Sequence, residues 1–228
     1  MKRFYKEVSV DGDLSVLLDG KSIKTPSKAK LVLPTRRLAE AVAEEWRGQG
    51  ANIAPTTLPL TRLANTAIDR AGAFREDIAA DLLGFGKNDL LCYRAIEPAA
   101  LVERQQEGWD PLLDWAHRVL GARMRVTHGV GHVEQDSEAI AAFDRVLRAQ
   151  DAWSLTGLQA ATTITGSLIL GLAIASEHLT PAQAFALSRI DEAFQAEKWG
   201  TDPEAEKRAR LHAAELESAG AFMALARA

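Results

Sequence analysis

The hydrophobic pattern of this chain changes at Pro34, and that change limits the folds that the chain can adopt. Before Pro34, short runs of β-forming residues are separated by Asp-Gly turn signals, which are typical of tight hairpins. They predict four strands, at residues 4–10, 14–18, 21–25 and 30–33. After Pro34 the apolar residues recur at helical spacing almost throughout. The sequence therefore predicts an α+β protein, whose antiparallel meander is too small to be stable unless helices pack on it.

The helical part is predicted to contain many helices and one domain boundary. Helices are expected at residues 35–48, 60–71, 74–83, 98–107, 110–121, 137–150, 154–176, 181–199 and 203–226. Residues 124–133 are expected to form an extended loop or a short strand. Gly84 and Gly86 interrupt the helical pattern, and closely spaced glycines favour a break. We therefore expect a small N-terminal β-rich domain with one or more helices at residues 1–84, and a larger helical domain at residues 85–228.

Composition narrows the class of protein. The chain has 228 residues, of which 47% are hydrophobic and 25% charged, as in soluble globular proteins with a real core. Its single cysteine, Cys92, excludes an internal disulfide. The formal net charge of −4 gives no overall attraction to nucleic acid. Residues 1–37 are basic, with nine Lys or Arg against four Asp or Glu. This indicates either a basic module joined to an acidic larger one, or edge strands on which Lys discourages pairing with the sheet of another molecule.

Two segments bear on targeting and on membranes. Residues 1–6 carry charge but no apolar core, so no secretion signal is predicted. Residues 152–176 carry no charged side chain and are long enough to span a bilayer. The first half of that segment is rich in Ser and Thr, so we interpret it as a buried helix and expect no membrane insertion. A membrane-associated protein is the open alternative.

The sequence offers no recognisable active site. It lacks the Gly-x-Ser-x-Gly nucleophile turn and paired cysteines, and residues 84–88 resemble a phosphate-binding loop only superficially. His128 and His132 lie in a glycine-containing stretch without a third ligand at suitable spacing. We therefore predict no catalytic residue, no cofactor and no metal. Carboxylates are plentiful, however, and a small-molecule-binding or hydrolytic enzyme that uses them in an interdomain cleft is the alternative.

One predicted helix carries a pattern that suits protein binding. Thr180 is a good N-cap for residues 181–199, and Gly200 is a natural C-terminal stop. An acid, an amide and an indole share one stripe of that helix, at Glu192, Gln195 and Trp199. Because Trp dominates many binding interfaces, this stripe indicates a docking surface for a protein partner. The alternative is a solvated Glu and Gln with a Trp that covers the core.

Tryptophan is frequent in this chain, with five Trp against two Tyr. Each Trp lies near a predicted helix end or beside polar residues, where an indole either fixes the helix to the core or anchors a partner. The residues for which both roles stay open are Trp46 with its neighbour Glu45, Trp109 with its neighbour Asp110, and Trp115.

A set of short motifs runs in order, and at compatible spacing, over residues 2–200. They are Lys2-Arg3-Phe4-Tyr5-Lys6, Leu17-Leu18-Asp19-Gly20-Lys21, Leu31-Val32-Leu33-Pro34, Glu45-Trp46, Pro59-Leu60-Thr61, Asp89-Leu90-Leu91-Cys92-Tyr93-Arg94, Trp109-Asp110-Pro111-Leu112-Leu113-Asp114-Trp115 and the run from Ser188-Arg189 to Trp199-Gly200. In these motifs the chain resembles the "ATP twelve" family, the assembly chaperones for the alpha subunit of the ATP synthase catalytic head. After Gly200 the chain departs from the family, since members often continue with an acidic stretch that contains His.

The resemblance implies a function without catalysis. The family binds the unassembled alpha subunit, shields the surface that the beta subunit later covers, and promotes assembly. It also implies an important acid near the end of the helix at residues 181–199, which we assign to Glu192 rather than to Asp191. The implied partner-binding set is Glu192, Asp191, Gln195, Trp199 and Arg189. The relatives occur in bacteria and in mitochondria. Because no transit segment is evident and the chain is rich in Ala and Arg, we expect a protein of the bacterial cytoplasm, with a mitochondrial matrix location for eukaryotic relatives. We also expect a monomer.

Overall fold

The computed structural model describes residues 1–227 and is mixed α+β, as predicted. Its helices are α1 (Arg36–Arg47), α2 (Pro59–Thr66), α3 (Arg75–Lys87), α4 (Ala99–Trp115), α5 (Ser137–Arg148), α6 (Ala152–Thr165), α7 (Leu168–Ala175), α8 (Pro181–Ser188), α9 (Ile190–Trp199) and α10 (Pro203–Ala226). Its strands are β1 (Val8–Val10), β2 (Val16–Leu18), β3 (Lys21–Ser22), β4 (Tyr93–Arg94) and β5 (Thr127–His128). No helix in this described range is long and apolar enough to cross a bilayer.

The chain divides into two compact units. The first consists of Met1–Arg75, Asp151–Gly157 and the chain from Ser218 onward. Here β1, β2 and β3 form an antiparallel meander in that order, and α1 packs against it. Leu38 of α1 and Phe222 of α10 are fully buried in the core of this unit. The meander is thus covered by helices, as its small size requires.

The strands of this meander are shorter than the sequence predicts, and the fourth one is absent. Residues 30–33 form only the isolated bridges Lys24↔Lys30 and Ser15↔Val32. The backbone of Leu14 and of Lys28 is left-handed, with φ values of 61° and 68°. Since a strand needs negative φ, Leu14 cannot begin the strand predicted at residues 14–18, whereas Lys28 lies in the turn between the segments 21–25 and 30–33.

The second unit consists of Glu76–Gln150 and Leu158–Glu217 and is mainly helical. Helix α4 contacts α7 and α9, and α7 contacts α8. A short parallel pair, β4 with β5, was not predicted as a sheet, although residues 124–133 were expected to be extended. The division of the chain into independently folding domains at residue 84 stays a prediction.

Two predicted helices are each split in two. Residues 154–176 break at Gly166, whose φ is +69°, and the Ser167 side chain then caps α7 by accepting from the amide of Leu170. Residues 181–199 break at Arg189, whose φ of −123° and ψ of 24° are not helical. Each break is a local backbone feature that a continuous apolar pattern conceals.

Two predicted breaks do not exist: Gly86 and Gly108 serve close packing, and Gly84 is an exposed position within its helix. Gly84 and Gly86 lie inside α3, and Gly108 lies inside α4. A Cβ on Gly86 would stand 3.1 Å from the side chains of Leu168 and Phe143. A Cβ on Gly108 would stand 2.8 Å from Ile190, so this glycine lets α4 approach α9 closely.

Gly84 provides a test of this distinction. It is exposed, helical and without a neighbour within 4 Å of an added Cβ, so Gly84→Ala is expected to stabilise the protein by about 0.5–1 kcal/mol. The matched change Gly86→Ala is expected to destabilise, since the core neighbours must move. Urea unfolding of both variants measures this. A gain at Gly86, or a loss at Gly84, would contradict the packing described.

Candidate functional site

Helix α9 is fixed to the second unit through its inner face. Ile190 and Phe194 are buried there. Asp191 is half-buried, and its Oδ1 accepts a hydrogen bond of 2.6 Å from Nε2 of Gln105, a fully buried residue of α4. Asp191 therefore serves the attachment of α9 to α4, whereas Glu192 points to solvent.

The opposite face of α9 is exposed and forms one wall of an open groove. Glu192, Gln195 and Trp199 all line this groove, which has a volume of about 490 Å³. The first turns of α10 form the other wall, with Asp202 and Glu206 among its residues. We call this feature the α9–α10 groove. The side chains that the sequence placed on one stripe are thus neighbours on one solvent-facing surface.

The indole of Trp199 is the most unusual element of the groove. Its exposed fraction is 80%, whereas Trp46, Trp109 and Trp115 are exposed by less than 10% each. An indole buries a large area when it finds a partner, so its exposure on this folded chain leaves considerable apolar surface in water. Among the tryptophans that the sequence marked as candidates, Trp199 is therefore the one available to another protein.

The link between the two walls depends on Gly200. Its φ of 87° and ψ of 171° lie in a region that residues with a side chain avoid. Two residues later, the Asp202 carboxylate accepts a hydrogen bond from the amide of Glu204 and caps α10. These two residues let the chain reverse and begin α10 beside α9, which creates the groove.

Arg189 stands where α8 ends and α9 begins. Its guanidinium lies 5.8 Å from the ring centroid of Phe185 and 3.4 Å from the Glu192 carboxylate. At this distance, and with both side chains partly exposed, the ion pair contributes little to stability. The Glu192 carboxylate can consequently exchange this contact for another one without a large cost.

Trp46 and Glu45 lie in the first unit and have internal roles. The Trp46 indole donates to the hydroxyl of Thr61 at 3.1 Å. The Glu45 carboxylate accepts from the amides of Leu60 and Thr61, the first free amides of α2, at 2.6 and 2.9 Å. Burial raises the pKa of the Glu45 carboxyl, and these hydrogen bonds act in the opposite direction. Glu45 thus caps α2, which has no cap of its own.

Trp109 is buried inside the second unit, and its neighbour Asp110 lies at the surface of that unit. The Trp109 side chain is 1% exposed, and its indole donates to the carbonyl of Leu187 at 2.8 Å. The buried Arg94 guanidinium lies 5.1 Å from the Trp109 ring and pairs with the Asp110 carboxylate at 2.7 Å. Asp110 lies within α4, so the predicted helix start at Asp110 is wrong.

Trp115 is the remaining candidate of this group. It is 6% exposed, and its ring stacks on that of His178 with a centroid distance of 5.0 Å. Such stacking fixes the end of α4 in the core. Trp115 therefore fixes its helix to the core and is not available to anchor a partner, and the same holds for Trp46 and Trp109.

Sequence reasoning missed a buried carboxylate at Asp89. It is fully buried, and its oxygens accept from the hydroxyl of Ser167 at 2.7 Å and from the amides of Leu91 and Ile169 at 3.1 Å. Burial raises the pKa of the Asp89 carboxyl to about 6, while these hydrogen bonds oppose the shift. Asp89 thus joins the short 3₁₀ turn that follows it to the start of α7.

The raised pKa of Asp89 predicts a pH dependence of stability. Unfolded Asp titrates near pH 3.9, so the folded state binds the proton more tightly. The stabilisation that Asp89 contributes is therefore complete below pH ~4 and is lost as the pH rises to about 6. Each unit by which the folded pKa exceeds the unfolded pKa corresponds to about 1.4 kcal/mol of that stabilisation. In urea unfolding from pH 4 to 7, the stability difference between wild type and Asp89→Asn should fall with rising pH. A constant difference would contradict this.

Metal binding has no support in the described part of the chain. No group of three or more His, Cys, Asp or Glu in residues 1–227 is arranged to hold a metal ion.

A protein-family model described as "ATP12 chaperone protein" matches residues 2–117 of this chain. The chain belongs to the ATP12 family. ATP12 proteins are chaperones of ATP synthase assembly. The matched range ends in the short helical segment Ala116–Leu120 that continues α4, so the α9–α10 groove lies outside it.

Known relatives of the ATP12 family cover the rest of the chain. The mitochondrial protein atp12 of Schizosaccharomyces pombe is 25% identical over 215 residues, which are 88% of this chain and 74% of the relative. The solved structure of Atp12 from Paracoccus denitrificans is 44% identical, covers 99% of this chain and 98% of its own, and has a TM-score of 0.94. The Atu1473 protein of Agrobacterium tumefaciens is 42% identical, covers 99% of this chain and 86% of its own, and has a TM-score of 0.95.

Proposed function

We propose that this protein is a non-enzymatic chaperone that binds the unassembled alpha subunit of ATP synthase. It shields the surface of that subunit which the beta subunit later covers, and so promotes assembly. The observation that supports this most strongly is the α9–α10 groove, in which a largely exposed Trp199 stands beside Glu192. Membership of the ATP12 family supports the class of client.

The physical task of such a chaperone is simple. An unassembled subunit exposes an apolar interface, which makes it prone to aggregate. A partner that binds this interface reversibly lowers the concentration of free subunit, and mass action then disfavours aggregates. A groove with an exposed indole and acidic edges suits reversible binding, since a few such residues dominate the energy of an interface.

We further propose that the protein acts as a monomer in the bacterial cytoplasm. The solved relatives come from the bacteria Paracoccus denitrificans and Agrobacterium tumefaciens, and the curated relative from yeast is mitochondrial.

The enzyme alternative has no comparable support. The carboxyls whose pKa values burial raises, Glu45 and Asp89, accept hydrogen bonds from backbone amides at the starts of helices.

Aggregation of the isolated alpha subunit tests the proposal. Light scattering is followed with and without an equal molar amount of this protein, in the absence of nucleotide, and the mixture is then examined by gel filtration. We expect suppressed scattering and a stable complex of the two proteins. Unchanged scattering together with separate elution of the two proteins would overturn the proposal.

Glu192→Lys is expected to abolish binding to the alpha subunit and to leave the fold intact. Glu192 lies on the groove, whereas a charge change at an exposed helix position usually alters stability by under ~0.5 kcal/mol. Glu138→Lys is a matched control, because Glu138 is also an exposed acid in the first turn of a helix. Gel filtration with the alpha subunit and thermal unfolding measure both effects. Wild-type binding by Glu192→Lys, or equal loss in both variants, would contradict the assignment.

A further inference from the structure

We infer that the α9–α10 groove recognises a polypeptide segment that presents an arginine beside an apolar side chain. The inference rests on the proposed function, in which this groove holds the client, and it adds the chemistry by which the client is recognised. Three properties of the groove support it: the charge of its edges, the exposed indole and its small apolar floor.

The edges of the groove carry an excess of negative charge. Three carboxylates line it, at Glu192, Asp202 and Glu206, against the single guanidinium of Arg189. The ion pairs that two of these carboxylates form are long, 3.4 Å from Arg189 to Glu192 and 3.7 Å from Arg210 to Glu206, and their side chains are partly or largely exposed. Such pairs contribute little, so an incoming cation can replace them at small cost. The charge of the groove therefore complements a cationic side chain.

The indole favours arginine over lysine as that cation. Trp199 lines the same groove as the carboxylates and is 80% exposed, so at least part of its ring is open to a ligand. A guanidinium is planar, stacks on aromatic rings and is more weakly hydrated than an ammonium. It also donates several hydrogen bonds in a fixed geometry, which suits carboxylates on two facing walls. An arginine between Trp199 and the acidic edge therefore combines both interactions.

The floor of the groove admits an apolar neighbour of that arginine. The small residues that line it, two from each wall, are Ala193, Ala196, Ala205 and Ala209. Their methyl groups leave room for the aliphatic stem of the arginine and for an adjacent apolar side chain to approach closely. Neither a purely apolar nor a purely cationic segment would use both the floor and the edges.

Nuclear magnetic resonance with short peptides tests the inference without the client. The probes are acetyl-Leu-Arg-Leu-amide and the same peptide with citrulline, which keeps the shape of arginine but lacks its charge. The indole N–H signal of Trp199 in the full chain is followed during titration at millimolar peptide. We expect this signal to shift with the arginine peptide, and the citrulline peptide to bind about tenfold more weakly, a difference of about 1.4 kcal/mol. Equal binding of both peptides, or no shift with either, would overturn the inference.

A variant pair locates the charge recognition. The double change Glu192→Gln and Asp202→Asn removes two carboxylates, while Asn retains the capping of α10 that Asp202 provides. We expect this double variant to bind the arginine and citrulline peptides equally. Glu138→Gln changes a residue outside the groove, and we expect it to bind the arginine peptide more tightly than the citrulline peptide, as wild type does. A preference that persists in the double variant would place the recognition elsewhere and overturn the inference.

The outcomes separate this inference from the proposed function. If the alpha subunit binds and Glu192→Lys prevents it, but arginine gives no preference, the proposed function stands and the recognition chemistry is wrong. If the arginine peptide is preferred but the alpha subunit does not bind, the groove is a recognition site whose client is another protein.

Discussion

Replacement of Trp109 by alanine is expected to lower the free energy of unfolding by about 3–5 kcal/mol. The Trp109 indole is 1% exposed, and its N–H donates to the carbonyl of Leu187 at 2.8 Å. The variant would leave a cavity in the core of the second unit and a carbonyl without its donor. It would also remove the ring beside which the buried Arg94 guanidinium lies. Urea unfolding, followed by circular dichroism, measures the change.

The chain contains its own control for this prediction. Trp199→Ala deletes the same atoms from a side chain that is 80% exposed, and should change the free energy of unfolding by about 0.5 kcal/mol or less. If Trp109→Ala is too unstable to purify, Trp109→Phe retains much of the buried volume and should show a smaller loss of the same sign. Equal effects of alanine at the two positions would contradict the contrast between buried and exposed tryptophans.

Trp199→Ala is expected to weaken binding to the alpha subunit by about 2–4 kcal/mol, a rise in Kd of roughly thirtyfold to a thousandfold. The reason is that an exposed indole at the end of a groove can bury a large apolar area against a partner. Isothermal titration of the alpha subunit with wild type and variant measures the Kd.

The control for this second prediction is Leu211→Ala. Leu211 is also an exposed apolar residue, 58% exposed, and lies on α10, but it does not line the groove. We expect a change in Kd of less than about threefold for this variant, as for most residues outside a binding centre. A Kd for Trp199→Ala within threefold of wild type would mean that the groove is not the main binding surface.

Much of the fold follows from local sequence signals. Thr35 caps α1, where its side chain accepts from the amide of Leu38, and Thr180 is the N-cap of α8 as predicted. The errors at Gly86 and Gly108 arise because these glycines pack against residues that are distant in sequence. Gly86 and Gly108 do not break their helices, because neighbours brought in by the tertiary fold leave no room for a Cβ. Local propensity carries no information about such neighbours.

The candidate site was predictable in part. Helical spacing alone places Glu192, Gln195 and Trp199 on one stripe, and the structure shows them exposed along one groove. The burial of Trp109 could not be inferred in this way, since its polar neighbours in sequence resemble those of Trp199. Asp89 was missed because two of its donors, Ser167 and Ile169, lie about 80 residues away in sequence.

Hydrogen–deuterium exchange of this protein, alone and in complex with the alpha subunit, tests the central claim most directly. If the α9–α10 groove holds the client, amides of α9, of the link at residues 200–202 and of the first turns of α10 should exchange more slowly in the complex. Helices far from the groove in sequence, such as α1, should be unchanged. A stable complex in which residues 189–209 exchange as in the free protein would contradict the account.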